Sequence, residues 1–181
     1  MQGSIFTSFS EMVIEEMGMP LWNQLLDKVN PPSKGIYTNG MQYDDSEIMV
    51  FIAELSILTQ VDTPTLLRNF GEYLFIDLFN NNRASLSYLD NLKDFLKGID
   101  HVVHKEVRRL YPDAYVPTFK VSETPNGDLI MLYQSKRKLC HLSEGLITGA
   151  AKHFDESISI HHPECMHDGA AQCKLVISFE A

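Results

Sequence analysis

The spacing of apolar residues changes near Pro117, and this change constrains the fold more than any other feature of the chain. Before Pro117, apolar residues recur three and four positions apart, which is the pattern of amphipathic helices. After Pro117, apolar and polar residues alternate, as at Phe119 and Val121, which is typical of half-buried strands. The sequence therefore predicts an α+β fold, with a helical half followed by a half that mixes helices and strands.

Capping and breaking residues set the helix boundaries in the first half. Gly18 ends the first helix, and Asp62 or Thr63 caps a later one. The last helix stops at Tyr111 and Pro112, because the residue before a proline disfavours helical backbone. Helices are predicted over residues 5–17, 21–29, 46–60, 63–79, 85 or 87–96 and 98–111, with a loop over 33–44.

Turn residues divide the second half in the same way. Pro125-Asn126-Gly127 lies between two alternating runs, where Asn-Gly is a strong hairpin signal. A helix follows over residues 138–154, with Gly145 and Gly149 on one face. Two strands over residues 157–161 and 173–179 then complete a mostly antiparallel sheet of four strands.

The charge balance limits the kinds of partner. The 181 residues include 15 Lys and Arg against 24 Asp and Glu, so the formal net charge is −9. Nucleic acids and anionic membranes attract clustered basic residues, so we expect no nucleic-acid or membrane partner. The longest apolar run, residues 48–53, is far shorter than the ~20 residues that span a bilayer. Without a basic segment of the signal-peptide type at the N-terminus, a single cytoplasmic domain is expected.

Tyr133, Ser135 and Arg137 occupy alternate positions at the end of the second hairpin strand. If the strand extends this far, their side chains project from one face, because side chains alternate along a strand. A guanidinium matches the geometry of a carboxylate, and the two hydroxyls add neutral donors. The patch suits a ligand with one or two carboxylates, although an edge strand with polar residues facing water has the same pattern.

His104 lies on the helix predicted over residues 98–111. It falls at the flank of the apolar face, near Val107, whereas His101 falls on the opposite side and is expected to face solvent. A histidine at a core boundary commonly makes an ordinary hydrogen bond, so this position alone assigns His104 no function.

Three cysteines and a histidine in the second half supply the four ligands of a closed tetrahedral zinc site. These residues are Cys140, His162, Cys165 and Cys173. His161 and His167 are alternative nitrogen ligands, although strand alternation would turn His161 and His162 to opposite faces. Because the spacing differs from a double CxxC pattern, buried cysteines beside unrelated histidines are the other interpretation.

Five short motifs together resemble the H-NOX family, the haem nitric oxide/oxygen binding domains that include the haem domain of soluble guanylate cyclase. The resemblance implies one domain over residues 1–181, with a distal helical subdomain at 1–62 and a proximal α+β subdomain at 63–181. It implies haem b, ferrous iron protoporphyrin IX, between them. The motifs are Met1-Gln2-Gly3-Ser4-Ile5, His104-x6-Tyr111-Pro112, Val116-Pro117-Thr118-Phe119, Tyr133-x-Ser135-x-Arg137 and Gly145-Leu146-Ile147.

The resemblance assigns roles to residues of these motifs. His104 matches the proximal iron ligand of the family. Tyr133, Ser135 and Arg137 match the residues that hold the two haem propionates, which agrees with the carboxylate-binding patch. Pro117 matches the proline that packs against the porphyrin and distorts it.

The distal side of the haem decides which gas binds. In oxygen-binding members, a tyrosine donates a hydrogen bond to bound O2, supported by a tryptophan and an asparagine. The corresponding positions here are Leu142, Phe9 and Leu74. Ile5 and Leu78 complete an apolar wall, and a shift of one position would bring the Tyr73 hydroxyl towards the ligand. Because NO needs no hydrogen-bond donor, the resemblance implies a sensor that binds nitric oxide and excludes O2.

The cysteine-rich end resembles a subset of bacterial H-NOX proteins in which three cysteines and a histidine bind zinc. In that subset, thiol oxidation with zinc loss is a second input. The resemblance implies a stand-alone sensor without catalysis, in which NO weakens the iron bond to His104. Release of His104 would shift its helix, and the altered surface would regulate a sensor histidine kinase or a cyclic-di-GMP enzyme in trans.

Two other functions fit the same residues. A zinc-dependent enzyme would use His162, Cys165 and Cys173, with Glu164 or Glu144 as general base. A fourth ligand closes the metal site and argues against this function. Haem storage or transfer is disfavoured, because residues that hold the propionates imply that the haem is retained.

Overall fold

The structure is a computed structural model that describes residues 1–86, 89–110 and 114–180. It confirms the predicted α+β fold. The helices are α1 (Gly3–Met17), α2 (Met19–Val29), α3 (Asp45–Thr59), α4 (Thr63–Asn81), α5 (Arg83–Leu86), α6 (Leu92–Gly98), α7 (His104–Leu110) and α8 (Cys140–His153). The strands are β1 (Thr118–Glu123), β2 (Leu129–Gln134), β3 (Ile158–Glu164) and β4 (Cys173–Phe179).

The first four helices begin and end within two residues of the predicted positions. Gly18 ends α1 with a φ of 90°, a conformation that glycine adopts without strain. The Asp62 side chain caps α4 by accepting a hydrogen bond from the backbone nitrogen of Thr65 at 3.0 Å. These boundaries follow from local chemistry, which is why sequence patterns located them.

The structure differs from the prediction between α4 and α7. The single helix expected over residues 85 or 87–96 is wrong, because α6 begins only at Leu92. Asn91 starts it by accepting a hydrogen bond from the backbone nitrogen of Asp94 at 2.8 Å. No new helix starts at Gly98, since α6 continues into a π-helical segment, Ile99–Val103, that leads directly into α7. The stop predicted at Tyr111 and Pro112 lies outside the described residues.

The four strands form one sheet in the order β1-β2-β4-β3, and all three pairings are antiparallel. The predicted hairpin between β1 and β2 is confirmed, and Gly127 takes a φ of 88° in its turn. Alternate residues of β2, namely Leu129, Met131 and Tyr133, are buried against the core. One face of the sheet therefore packs in the same apolar cluster as residues of α4, α6 and α8.

β2 ends at Gln134, so Ser135 and Arg137 do not continue the strand, and the alternation expected for them is wrong. The chain turns instead: the carbonyl of Ser135 accepts a hydrogen bond from the backbone nitrogen of Lys138 at 3.1 Å. The Ser135 hydroxyl accepts another from the backbone nitrogen of Arg137 at 3.2 Å. This turn, rather than strand alternation, orients the Arg137 side chain.

Two apolar clusters form the core. One contains residues of α1, α2, α3 and α4, and the other contains residues of α6, the sheet, α8 and α4. α4 contributes to both clusters: Leu74 and Leu78 pack in the first, and Phe75 and Phe79 in the second. The subdomain boundary predicted between residues 62 and 63 stays a prediction.

α4 and α8 cross at glycines that allow their backbones to touch. A Cβ atom added to Gly145 would lie 2.0 Å from the carbonyl oxygen of Arg68. One added to Gly71 would lie 2.2 Å from the carbonyl oxygen of Leu142. Both contacts involve backbone atoms, so no side chain fits at either position unless the helices move apart.

Among the residues that the structure describes, no single helix is both long and apolar enough to cross a bilayer. α3 and α4 reach the required length and composition only as a pair, across a bend of 114°.

Replacing Gly145 with alanine tests the tight helix crossing. We expect the free energy of unfolding to fall by about 1–3 kcal/mol, because the added methyl group forces the two backbones apart. Urea denaturation followed by circular dichroism measures this change.

Gly98→Ala is the matched control, because a Cβ at this helical position would first meet Val102 Cγ2 at an ordinary 3.6 Å. Its free energy of unfolding should stay unchanged or rise by up to about 1 kcal/mol. A Gly145→Ala protein as stable as the wild type would contradict the close backbone contact.

Candidate functional site

The Arg137 guanidinium binds a carboxylate. Its Nε donates a hydrogen bond to Oδ2 of Asp45 at 2.6 Å, and its Nη1 donates to the carbonyl oxygen of Tyr115 at 2.7 Å. The guanidinium also lies over the Tyr115 ring, 4.8 Å from the centroid. Asp45 in turn pairs with the N-terminal amine of Met1 at 2.8 Å. A cavity of about 100 Å³ adjoins this group, with Arg137, Asp45 and Met1 in its wall.

Tyr133 and Ser135 are the other two residues of the predicted carboxylate-binding patch. Both side chains are almost fully buried. The Tyr133 hydroxyl accepts a hydrogen bond from the backbone nitrogen of Leu139 at 2.9 Å. Burial raises the pKa of Tyr133 to about 12, so the hydroxyl stays protonated at neutral pH. Its own hydrogen therefore remains able to donate to an acceptor such as a carboxylate.

His104 is the first residue of α7, directly after the π-helical segment, and its side chain is only 13% exposed. Burial lowers the pKa of His104, although the Asp100 carboxylate, 3.5 Å from Nδ1, opposes this effect. Nδ1 is buried without a hydrogen-bond partner among the described residues. The His104 ring lies 5.6 Å from the Phe119 ring, which lies 5.4 Å from that of Tyr133. His101 is exposed, as expected.

The structure brings the five predicted distal residues into the same apolar cluster. They are Ile5, Phe9, Leu74, Leu78 and Leu142. Phe9 and Leu74 are fully buried there, and the other three are half-buried. Tyr73 packs on the same cluster, but its hydroxyl donates a hydrogen bond to Oε2 of Glu15 at 2.9 Å.

The predicted zinc ligands also come together. The ligand atoms of Cys140, His162, Cys165 and Cys173 all lie within 4.8 Å of one another. The sulfurs of Cys140 and Cys165 are 3.8 Å apart. Two thiolates at about 2.3 Å from one tetrahedral zinc ion lie about 3.8 Å apart, so this spacing fits such a site.

Backbone donors support two of the sulfurs. The backbone nitrogen of Met166 donates to Cys173 Sγ at 3.2 Å, and that of His167 donates to Cys165 Sγ at 3.4 Å. Such donors stabilise thiolate charge. Burial and the neighbouring thiols raise the pKa of Cys140, so the grouped thiols need a nearby cation in order to ionise together.

The alternative nitrogen ligands are placed differently. His161 is exposed, and His167 is exposed with its Nε2 2.8 Å from the carbonyl oxygen of Lys138. Two overlapping groups nevertheless satisfy the same distance criterion. They are Cys140 with His141 and His167, and His141 with Glu144 and His162.

Sequence reasoning missed several partners of these residues. Asp45 lies 92 positions from Arg137, and its local sequence indicates only the start of a helix. Asp100 was detectable, because it stands four positions before His104 and faces the same side of a helix. Glu144 appeared only as a possible general base, whereas the structure joins it to His162 and Arg68.

The fold and the two residue groups define a class of protein. The buried His104 imidazole lies beside Phe119 of one apolar cluster, and Arg137 binds a carboxylate, which are groups that suit a prosthetic group with a metal and carboxylates. The described part of the chain also offers a separate group of metal-ligand side chains, three cysteines and His162.

Comparison with known proteins identifies this class. The sequence matches the haem-NO-binding (HNOB) family over residues 2–162. It is 28% identical over 171 residues to the soluble guanylate cyclase gcy-32 of Caenorhabditis elegans, covering 88% of this chain and 24% of that protein. The chain thus spans about a quarter of the length of this curated relative.

Solved structures agree. An H-NOX protein from Shewanella oneidensis in the Fe(II)NO ligation state superposes with a TM-score of 0.94 and 32% identity, covering 100% of both chains. The unliganded Fe(II) H-NOX protein from K. algicida gives 0.89 and 31%, covering 100% of this chain and 97% of that one. The chain belongs to the H-NOX, or haem-NO-binding, family. It is a haem-binding sensor domain, related to the haem domains of soluble guanylate cyclases.

The residues at the predicted haem site fit a haem group. Arg137 already holds a carboxylate, which is the chemical group of a propionate. His104 offers a buried imidazole whose Nδ1 faces the Asp100 carboxylate at 3.5 Å. The predicted distal wall is apolar throughout.

Replacing Asp45 with asparagine tests the ion pair at Arg137. Burial alone would raise the pKa of Asp45, but hydrogen bonds from Arg137 and the Met1 amine outweigh it and hold the pKa below its ordinary 3.8. Ionised Asp45 therefore stabilises the fold at neutral pH. This contribution is lost as the pH falls through the lowered pKa of Asp45. We expect Asp45→Asn to lower the urea midpoint at pH 7, with the difference narrowing from about pH 5 to about pH 3.

Asp27→Asn, at an exposed aspartate, should leave the urea midpoint close to wild type at both ends of this range. A deficit of Asp45→Asn that is equally large at low and neutral pH would argue against the ion pair.

Proposed function

We propose that the chain is a nitric oxide sensor that binds NO at ferrous haem, excludes O2 and has no catalysis of its own. The observation that carries this proposal is the apolar distal wall, with the nearby Tyr73 hydroxyl bound to Glu15. When bound, the haem would supply a ferrous iron that takes NO, with His104 as the residue that would hold this iron and be released when NO binds.

Three side chains would hold the haem propionates. Arg137 supplies a planar guanidinium, Tyr133 a hydroxyl whose hydrogen is not used by Leu139, and Ser135 a buried hydroxyl. Asp45 keeps Arg137 in place by its charge. Burial of Tyr133 and Ser135 excludes water from this end of the site, which strengthens hydrogen bonds to a carboxylate.

The proximal side would be built around His104 and Pro117. His104 would act as the iron ligand, with the Asp100 carboxylate, 3.5 Å from Nδ1, orienting the imidazole. Pro117 lies directly before β1 and would pack on the porphyrin. In this proposal a movement of the His104 ring passes to the π-helical segment before it and to the Phe119 ring beside it.

The distal wall supports selectivity for NO. Bound O2 carries partial negative charge and gains from a hydrogen-bond donor in an apolar site, whereas NO binds ferrous haem without one. Ile5, Phe9, Leu74, Leu78 and Leu142 carry no polar side-chain atoms. The Tyr73 side chain packs on the same cluster, and Glu15 accepts the hydrogen of its hydroxyl.

The signal would pass to a separate enzyme. The match to the C. elegans cyclase covers 24% of that protein, so most of the cyclase lies outside the part that this chain resembles. We infer that movement of the region around His104 alters a surface that regulates a sensor histidine kinase or a cyclic-di-GMP enzyme in trans. We expect the protein in the cytoplasm.

Absorption spectra of the haem-loaded ferrous protein test gas selectivity. Under NO, we expect the spectrum of a five-coordinate complex, because the bond to His104 is released. In air, we expect no stable oxygen complex, because the distal wall has no donor.

Leu142→Tyr and Leu142→Phe are a matched pair for this test, since they differ only in the hydroxyl. Leu142→Tyr should acquire measurable O2 binding, and Leu142→Phe should not. A six-coordinate NO complex at equilibrium would contradict release of His104, and a stable oxygen complex of the wild type would contradict O2 exclusion.

A zinc site is the second part of the proposed function. The sulfur spacing and the grouping of Cys140, His162, Cys165 and Cys173 support a closed, structural site. Such a site would tie the start of α8 to β3 and β4, and oxidation of its thiols would be a redox input. A zinc-dependent enzyme is the alternative function, and it requires that one metal position stay open.

Metal analysis of the reduced, purified protein distinguishes these functions. We expect one zinc per chain and a loss of at least about tenfold in zinc affinity for Cys140→Ser, because this cysteine is one of four ligands. His167→Ala should keep its zinc. Full zinc retention by Cys140→Ser would favour the open, catalytic site.

A further inference from the structure

Glu144 is a buried carboxylate that joins three parts of the fold. It lies on α8, and its side chain is 9% exposed. Its Oε1 is 2.5 Å from Nδ1 of His162 on β3, and its Oε2 accepts a hydrogen bond from Nη1 of Arg68 on α4 at 3.0 Å. Nδ1 of His141, one helical turn earlier, lies 3.3 Å from Oε1.

The contact with Glu144 determines which nitrogen of His162 remains for a metal. Nδ1 is occupied by the carboxylate, and Nε2 is buried without a hydrogen-bond partner among the described residues. One ring nitrogen of His162 also lies within 4.8 Å of the sulfurs of Cys140, Cys165 and Cys173. A carboxylate that accepts the hydrogen of one ring nitrogen fixes the tautomer in which the other nitrogen binds metal.

We propose that Glu144 is the positioning residue of the zinc site. It holds the hydrogen of His162 on Nδ1 and turns Nε2 towards the sulfurs of Cys140, Cys165 and Cys173. This inference rests on the proposed zinc site and goes beyond it, because it assigns a role to a residue that binds no metal itself.

Arg68 makes this arrangement electrostatically reasonable. A zinc ion with three thiolates and a neutral imidazole has a net charge of −1, by the charges of the groups. A second negative group beside it would be unfavourable unless a cation offsets it. The Arg68 guanidinium supplies that cation from α4, so Glu144 stays ionised next to an anionic metal site.

The simpler interpretation is that Glu144 only forms a structural ion pair with Arg68. The two interpretations differ in whether Glu144 orients His162. A loss of zinc affinity would report on the orientation of His162, whereas a loss in the free energy of unfolding would report on the ion pair. Glu144 also borders a cavity of about 310 Å³, so that water reaches a substituted side chain without a buried void being created.

The experiment compares Glu144→Gln with Glu164→Gln in the full, reduced chain. Glu164 is an exposed glutamate two positions after His162 and is the matched control. Zinc affinity is measured by competition with a chromophoric chelator, using zinc ion alone as the ligand. We expect affinity to fall about 10- to 100-fold for Glu144→Gln and to stay within about twofold for Glu164→Gln.

Nitrogen NMR of the zinc-loaded wild type gives an independent measurement. We expect His162 to carry its hydrogen on Nδ1 and to bind zinc through Nε2. Zinc bound through Nδ1, or equal affinity of Glu144→Gln and wild type, would overturn the positioning role while leaving the zinc site intact. A wild type that binds no zinc would instead overturn the zinc site itself, and this role with it.

Discussion

The crossing of α4 and α8 is the contact on which both residue groups depend. Because Gly71 and Gly145 have no side chains, the backbones touch, and Leu142 lies against the same apolar cluster as Leu74. The same approach lets Arg68 of α4 reach Glu144 of α8. A side chain at either glycine would separate the helices and with them the distal wall and the support of His162.

α8 connects the two proposed sites within little more than one helical turn. Cys140, Leu142 and Glu144 stand at its start and contact the cysteine cluster, the distal cluster and His162, respectively. A change at either site therefore acts on the same short stretch of helix. In the proposed function, zinc loss and gas binding would influence each other through this stretch of helix.

The carboxylate at Arg137 illustrates a different kind of constraint. Asp45 binds both the Met1 amine and Arg137, and so ties the N-terminus and α3 to the turn after β2. Haem propionates carry the same chemical group as Asp45. In the proposed function, the guanidinium therefore serves two purposes: it links the two halves of the chain and it holds the prosthetic group.

The sequence by itself determined the features that arise from short stretches of chain. Capping at Asp62, the hairpin turn at Gly127 and the residue types of the ligand sets all depend on neighbours a few positions away. The helix predicted from residue 85 or 87 was wrong, because Asn91 caps α6 and the helix begins only at Leu92. Only the tertiary structure decided that Asp45 meets Arg137 and that Glu144 meets His162, because these pairs join distant parts of the chain, where packing rather than local pattern sets the contact.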